Sequence, residues 1–103
     1  MDAIRKEIET HAVVLFMKGS PAYPMCGFSR TVVKLLEDLN VPFKGIDILQ
    51  DPELRANLKI FSDWPTFPQL YIQGQFIGGC DIVRDMVQAG ELQALVSPLL
   101  ASL

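Results

Sequence analysis

The uninterrupted apolar run at residues 12–18, AVVLFMK, constrains the fold more than any other feature of this sequence. Such a run, rich in β-formers, is typical of a central strand that is covered on both faces. The next segment, GSPAYP at 19–24, is dense in Gly, Ser and Pro and is predicted to be a loop. A helix is then expected from Cys26 or Gly27 to Leu39. Its predicted buried face, at helical spacing, consists of Phe28, Val32, Leu35, Leu36 and Leu39.

The rest of the chain completes an α-β-α-β-α-β-β-α-α order. The first predicted elements are a helix over 2–11 capped by Asp2, a strand over 43–48, and a helix opened by Asp51 and Pro52. A loop over 62–68 then leads to two strands around Gln73-Gly74. A helix is predicted from near Asp81 to Gly90, with Ile82, Val83, Met86 and Val87 inward, and it is followed by a last helix that Pro98 weakens at its end. A β-α-β unit makes a parallel pair of strands with a right-handed crossover, and a hairpin adds an antiparallel pair. We therefore predict an α/β chain with a thioredoxin-like fold, in which helices flank both faces of a four-stranded mixed sheet.

Length and charge exclude several classes of protein. A chain of 103 residues supports one domain, predicted over 1–103. The net charge of −3 and the pI near 4.9 argue against a nucleic-acid-binding surface, which requires a basic face. No apolar run approaches the roughly 20 residues of a membrane-spanning helix, and the polar, amphipathic start is unlike a signal peptide. Two widely separated cysteines do not form a secreted disulfide framework, so a reducing compartment such as the cytoplasm is expected.

Cys26 lies at the predicted junction between the loop after the first strand and the following helix. A thiolate at a helix N-terminus faces unpaired backbone N–H groups, so its pKa should fall, and Lys18 at the end of the strand adds a positive charge. The alternative is that Cys26 is a small buried hydrophobe, as many free cysteines are. A dithiol C-x-x-C motif would carry its second thiol three residues later, where this chain has Ser29.

Three segments, KGSPAYPMCGFS, WPTFPQLY and GGCD, together resemble the monothiol glutaredoxins of the CGFS type. The likeness covers essentially the whole chain. Ser20 stands where that family more often has threonine. The loop between Lys18 and Cys26 is several residues longer than in dithiol glutaredoxins, which fits the CGFS branch.

The resemblance implies a glutathione site. Its members would be Lys18, Arg55, Thr66, Phe67, Pro68, Gly79, Cys80 and Asp81. By resemblance, Lys18 and Arg55 meet the glycine-end carboxylate, although Arg55 alone also fits a solvated helix charge. In the family the proline at position 68 is cis and the backbone of Phe67 pairs with the cysteinyl unit, whereas an ordinary loop proline is the alternative.

At the other end of glutathione, the resemblance places the γ-glutamyl carboxylate on the helix N-terminus that starts at residues 79–81. Asp81 would pair with the ammonium group, act as a plain N-cap, or do both. Cys80 is expected to contribute its backbone, with a Cys26–Cys80 disulfide as the alternative. Trp64 is expected to pack beside the site, Tyr23 to rim it, and His11 to be a surface residue without a ligand role.

One thiol limits the chemistry. A hydroxyl at Ser29 cannot resolve a mixed disulfide, so release of glutathione from Cys26 requires a second glutathione molecule. Iron–sulfur clusters usually take four thiolates. Two copies of Cys26 and two glutathione thiolates supply that number. The resemblance implies the same use, a 2Fe–2S cluster bridging two subunits and delivered to recipient apoproteins, with BolA-type proteins as further partners.

Three functions are therefore kept open. The first is a cluster carrier that is a homodimer when loaded and a monomer when apo, with no nucleic-acid or membrane partner. The second is a glutathione-dependent thiol–disulfide oxidoreductase that works with Cys26 alone. The third is a regulatory partner that reports iron or redox state through its cluster. Ser29 and the long loop favour the first over the second.

Overall fold

The structure, a computed structural model, describes residues 1–101 and contains the predicted order of helices and strands. The strands are β1 (Val13–Met17), β2 (Lys44–Asp47), β3 (Gln69–Ile72) and β4 (Gln75–Gly78). The helices are α1 (Asp2–Thr10), α2 (Gly27–Asp38), α3 (Pro52–Ser62), α4 (Cys80–Gln88) and α5 (Glu91–Ala101). A short 3₁₀ turn, Ile48–Gln50, follows β2 and was not predicted from the sequence.

The four strands form one mixed sheet in the order β2-β1-β3-β4. β1 runs parallel to β2 and antiparallel to β3, and β3 pairs antiparallel with β4. The crossover through α2 joins the parallel pair, as the β-α-β rule requires. The predicted four-stranded mixed sheet and thioredoxin-like topology are confirmed.

Every residue of β1 is buried, because side chains that alternate along the strand enter two separate cores. Val13, Leu15 and Met17 pack on one face with residues of α2, α4 and α5. Val14 and Phe16 pack on the other face with residues of α1 and α3. The apolar run over residues 12–18 therefore contains the central strand, with helices on both sides.

Helix boundaries agree with the sequence signals in some places and depart from them in others. Asp51 caps α3 by accepting a hydrogen bond from the Leu54 N–H at 3.0 Å, and Pro52 takes the first helical position. Gly90, with φ of 76°, follows the end of α4 as predicted. Asp2 does not cap α1; Met1 is the N-cap and Asp2 lies in the first turn. Pro98 lies inside α5, which continues to Ala101.

Two predicted core residues are exposed. Phe28 is 62% exposed, and the buried face of α2 instead runs through Ser29, Val32, Val33 and Leu36. Ile82 is 38% exposed, and the buried face of α4 runs through Cys80 and Val83. Both misplaced side chains lie in the first turn of a helix, where they face a groove rather than the core. None of the helices within residues 1–101 is long and apolar enough to cross a membrane.

Candidate functional site

A groove of about 480 Å³ lies where the loop after α3 meets the N-terminal turns of α2 and α4. All eight residues predicted to bind glutathione line it, together with four others. Its lining residues are Lys18, Phe28, Arg55, Trp64, Pro65, Thr66, Phe67, Pro68, Gly79, Cys80, Asp81 and Ile82. Phe28, Pro65 and Ile82 were not predicted as site residues, and their apolar character gave no local signal of a groove.

Cys26 is the N-cap of α2, in the sequence position directly before the first helical turn. Its thiol is half-buried and free. Burial acts to raise the pKa of Cys26, but hydrogen bonds from the backbone N–H groups of Ser29 and Phe28, followed by the charge of Lys18, outweigh it and lower that pKa overall. Cys26 is not itself among the residues that line the groove; it neighbours Phe28 and Lys18, which are.

Ser29 is fully buried and takes part in the site through its hydroxyl group. Its Oγ accepts a hydrogen bond from the Lys18 backbone N–H at 3.1 Å. The same hydroxyl also helps to lower the pKa of the Cys26 thiol. Ser29 thus ties the end of β1 to the reactive helix terminus. Sequence reasoning identified what this residue lacks, a thiol, and missed what its hydroxyl does.

The loop between Lys18 and Cys26 is fastened at several points. The Met25 N–H donates to the Lys18 carbonyl at 2.8 Å, which closes the loop on itself. The Gly19 N–H donates to Asp47 Oδ1 at 2.9 Å and so ties the loop to the end of β2. Gly19 has a φ of 89°, and a Cβ there would lie 2.5 Å from the Tyr23 carbonyl, so only glycine fits.

The peptide bond between Phe67 and Pro68 is cis. This is the isomer that the resemblance implied, and both residues line the groove. Both are also largely buried.

The N-terminus of α4 forms the opposite wall. Gly79 is its N-cap and provides no side chain, so the first N–H groups of the helix have no capping partner. A Cβ on Gly79 would lie 3.3 Å from the Pro68 carbonyl and 3.4 Å from Trp64 Nε1, which shows how closely the helix approaches the loop. A helix end of this kind accepts a carboxylate readily.

Asp81 lacks one of its two predicted roles, and Cys80 is a free thiol without the disulfide to Cys26 that was its alternative. Asp81 does not cap α4; its carboxylate is exposed and pairs with Arg84 at 2.8 Å. Cys80 is 8% exposed, and burial is the main cause that raises its pKa. The nearby Arg84 lowers that pKa, and Asp81 and Cys26 raise it further. Cys80 is therefore a neutral free thiol, whereas Cys26 is the thiol that ionises more readily.

The remaining predicted neighbours fall at different distances from the groove. Trp64 lines it and packs on Phe76, with ring centroids 5.9 Å apart. Its Nε1 is buried and has no hydrogen-bond partner within residues 1–101. Tyr23 is 78% exposed in the loop before Cys26. His11 lies just after α1, beside Glu7 at 3.8 Å, and lines a different cavity, so it is not part of this site.

Comparison with known proteins agrees with this geometry. The family model for glutaredoxin matches residues 13–77. A probable monothiol glutaredoxin 2 from Rickettsia conorii is 57% identical over 93 residues, which cover 90% of this chain and 87% of the relative. The chloroplastic monothiol glutaredoxin-S14 of Arabidopsis thaliana is 52% identical over 101 residues, covering 98% of this chain, but the chain spans only 58% of that relative's length.

Two solved structures share the fold closely. The solution structure of reduced poplar apo GrxS14 has a TM-score of 0.85 at 50% identity, covering 97% of this chain and 92% of that one. The crystal structure of a buckwheat glutaredoxin–glutathione complex has a TM-score of 0.85 at 25% identity, covering 94% and 86%. Together with the family match and the lone thiol at the start of α2, these likenesses lead to one conclusion. The chain belongs to the glutaredoxin family and, within it, to the monothiol glutaredoxins.

Proposed function

We propose that this chain binds glutathione in the groove beside Cys26 and uses the complex to carry a 2Fe–2S cluster between proteins. One observation carries the proposal: Cys26 is a thiol with a lowered pKa, and the neighbouring Ser29 has a buried hydroxyl where a second thiol would be. The site has the activated sulfur of a glutaredoxin and lacks the thiol that would let it complete disulfide reduction by itself.

Glutathione suits the groove chemically at both ends. The ligand has two carboxylates, and the groove has two cations, Lys18 and Arg55, and the uncapped N-terminus of α4. Asp81 would meet the ammonium group, in competition with its present partner Arg84. The similar buckwheat protein, which was solved as a glutathione complex, supports the same ligand here.

The cluster is cargo, and its ligands would come from two chains. The residues 1–101 contain no group of three or more Cys, His, Asp or Glu that could hold a metal ion. Cys26 is the accessible thiol, while Cys80 is buried with a raised pKa. Cys26 from each of two copies, with one glutathione thiolate each, gives the usual four sulfur ligands. We propose BolA-type proteins and apo iron–sulfur proteins as partners, and the cytoplasm as the compartment.

The test is anaerobic reconstitution with iron, sulfide and glutathione, followed by the visible spectrum and assays of iron and acid-labile sulfide. We expect a brown, glutathione-dependent chromophore in the wild type. Cys26→Ser should abolish it, while the matched variant Cys80→Ser should weaken it at most. Full loading of the Cys26 variant would contradict the proposal.

Glutathione binding can be tested separately from the cluster. Lys18→Gln and Arg55→Gln each remove a charged partner from the ligand, so we expect roughly tenfold weaker affinity by calorimetry. Asp81→Asn should weaken binding less, because Asp81 is exposed and already paired. Lys34→Gln is the control, since Lys34 is exposed and pairs with Asp38 away from the groove. Unchanged affinity in all three groove variants would place glutathione elsewhere.

A monothiol oxidoreductase is the second candidate, favoured by the lowered pKa of Cys26. The Cys26 thiolate would attack a glutathionylated protein, take the glutathione as a mixed disulfide and release the protein thiolate. A second glutathione thiolate would then attack the mixed disulfide, giving glutathione disulfide and regenerating the Cys26 thiolate. Rapid deglutathionylation by a protein that forms no cluster would favour this function.

A further inference from the structure

The first residue of β3, Gln69, has a buried amide that is fully hydrogen-bonded. The side chain has no exposed surface. Its Nε2 donates to the Trp64 carbonyl at 3.2 Å and to the Thr66 carbonyl at 3.3 Å. Its Oε1 accepts a hydrogen bond from the Tyr71 hydroxyl at 3.2 Å. Carbonyl oxygens only accept, so the two loop carbonyls fix which end of the amide faces the loop.

The Tyr71 hydroxyl is the hydrogen-bond partner of the Gln69 amide oxygen. It is 1% exposed, and burial raises its pKa to about 12, so its hydroxyl keeps the proton that it donates to Gln69. The Ser62 hydroxyl, which donates to the Leu58 carbonyl at 2.8 Å, also contacts the Tyr71 hydroxyl. The network therefore runs from the end of α3, along one face of β3, to the loop that forms one wall of the groove.

The bond to Thr66 determines where the next N–H group points. The peptide bond between Thr66 and Phe67 is trans, since Phe67-Pro68 is the cis bond in residues 1–101. In a trans peptide the C=O and N–H groups point in opposite directions. The Thr66 carbonyl is directed inward to buried Gln69, so the Phe67 N–H points away from Gln69, and Phe67 is a lining residue of the groove. No backbone carbonyl within the described residues accepts a hydrogen bond from it.

We propose that Gln69 is a positioning residue for the glutathione site, because its buried amide turns the Thr66–Phe67 peptide so that the Phe67 N–H faces the ligand. Gln69 does not touch the groove itself, and its action is through the two carbonyls that it holds. The proposal rests on glutathione binding in this groove. It adds a residue outside the ligand contacts on which the affinity depends.

Two variants of similar size separate the two halves of the network. Gln69→Met keeps the length and volume of the side chain but removes both bonds to the loop. Tyr71→Phe removes one hydroxyl from the same network and leaves those bonds in place. We expect Gln69→Met to raise the Kd of reduced glutathione roughly tenfold, and Tyr71→Phe to change it less than about twofold, both measured by calorimetry well below the unfolding transition.

Hydrogen exchange, measured without glutathione, distinguishes a local change at the loop from a general loss of stability. In Gln69→Met, exchange at the Phe67 amide should change while core amides of β1 stay protected, and in Tyr71→Phe both should resemble the wild type. A folded Gln69→Met variant with wild-type affinity would overturn the proposal, as would an equal loss of affinity in Tyr71→Phe.

If Gln69→Met does not fold, the proposal can be tested on the wild-type protein instead. Its Gln69 side-chain amide protons should exchange much more slowly than those of exposed Gln88, and the Phe67 amide should shift strongly in NMR spectra when glutathione is added. Exchange as fast as that of Gln88, or an unmoved Phe67 amide at saturating glutathione, would overturn the role of Gln69. Failure of the wild type to bind glutathione at all would instead overturn the proposed function, while the exchange measurements would still report on the Gln69 bonds.

Discussion

At the scale of single residues, the site depends on the contrast between two cysteines of the same chain. Cys26 has a lowered pKa because backbone N–H groups and Lys18 stabilise its thiolate against the effect of burial. Cys80 has a raised pKa because burial dominates. Both thiols are free, so their environments rather than their oxidation states distinguish them. At neutral pH, Cys26 is therefore expected to be the more reactive of the two thiols.

The pH dependence of alkylation tests this contrast. In a Cys80→Ser background, Cys26 should react with iodoacetamide at a midpoint below that of an unfolded peptide containing PMCGFSR. Because the folded pKa is depressed, the thiolate contributes stability above the unfolded pKa, and that contribution is lost as the pH falls through the folded pKa. Lys18→Gln should move the midpoint upward and Lys34→Gln should leave it in place. A midpoint equal to that of the peptide would show that the helix terminus does not activate Cys26.

Ser29 offers the most direct test of why one thiol is present. Ser29→Cys places a second sulfur one turn from Cys26, so an internal disulfide can release glutathione without a second molecule. We expect this variant to gain protein-disulfide reductase activity, measured with insulin, and to lose its cluster faster in air. If the wild type already matches its reductase rate, Ser29 is not what limits the chemistry.

Ser29→Ala is the control for that substitution. It adds no thiol but leaves the part-buried Lys18 N–H without its acceptor, which should cost about 1 kcal/mol of the free energy of unfolding. It should also raise the pKa of Cys26, because the hydroxyl no longer stabilises the thiolate. No gain in reductase activity is expected.

At the scale of elements, the sequence correctly predicted those features that depend on residues close together in the chain. The apolar run of β1 indicated a doubly covered strand, and Asp51-Pro52 indicated the start of α3; both are confirmed. Phe28 and Ile82 were wrongly placed in the core, because helical spacing alone does not reveal which neighbours the first turn of a helix meets. The hydroxyl contacts of Ser29 depend on β1 lying against α2, which no local pattern specifies.

The N-cap of α3 links an element to the site, because Arg55 lies in the first turns of this helix. Asp51→Ala removes the hydrogen bond to the Leu54 N–H and should lower the free energy of unfolding by about 1 kcal/mol. Fraying of the first turn should also weaken glutathione binding modestly. Asp38→Ala is the matched control, since its ion pair with Lys34 is exposed and worth little. Equal effects of the two variants in chemical denaturation would contradict this account of the cap.

At the scale of the whole molecule, exposed apolar side chains are found around the reactive end. Tyr23 and Met25 precede Cys26 in its loop, and Phe28 follows it; all three are largely exposed. Single exposed apolar residues are ordinary, but these three lie within six positions of the chain. The segment that contains Cys26 is thus also rich in exposed apolar surface.

We expect the oligomeric state to depend on whether the cluster is bound. One accessible thiol per chain leaves a four-ligand cluster unfinished, so we expect the loaded protein to be a dimer and the apo protein a monomer. Size-exclusion chromatography with light scattering, before and after iron removal by a chelator, measures this. Cys26→Ser serves as the monomeric control. A dimer that stays equally tight without iron would show that contacts other than the cluster hold the two chains together.

The position of Trp64 has a practical consequence for every such measurement. It is the one tryptophan of the chain, and it lies in the wall of the groove with a buried indole N–H that has no partner within residues 1–101. Fluorescence excited at the red edge of protein absorption therefore comes from Trp64 alone, in the wall of the groove where the proposed ligands would bind. The molecule contains its own optical probe, so we expect stopped-flow fluorescence on unlabelled protein to time the arrival and departure of the proposed ligands.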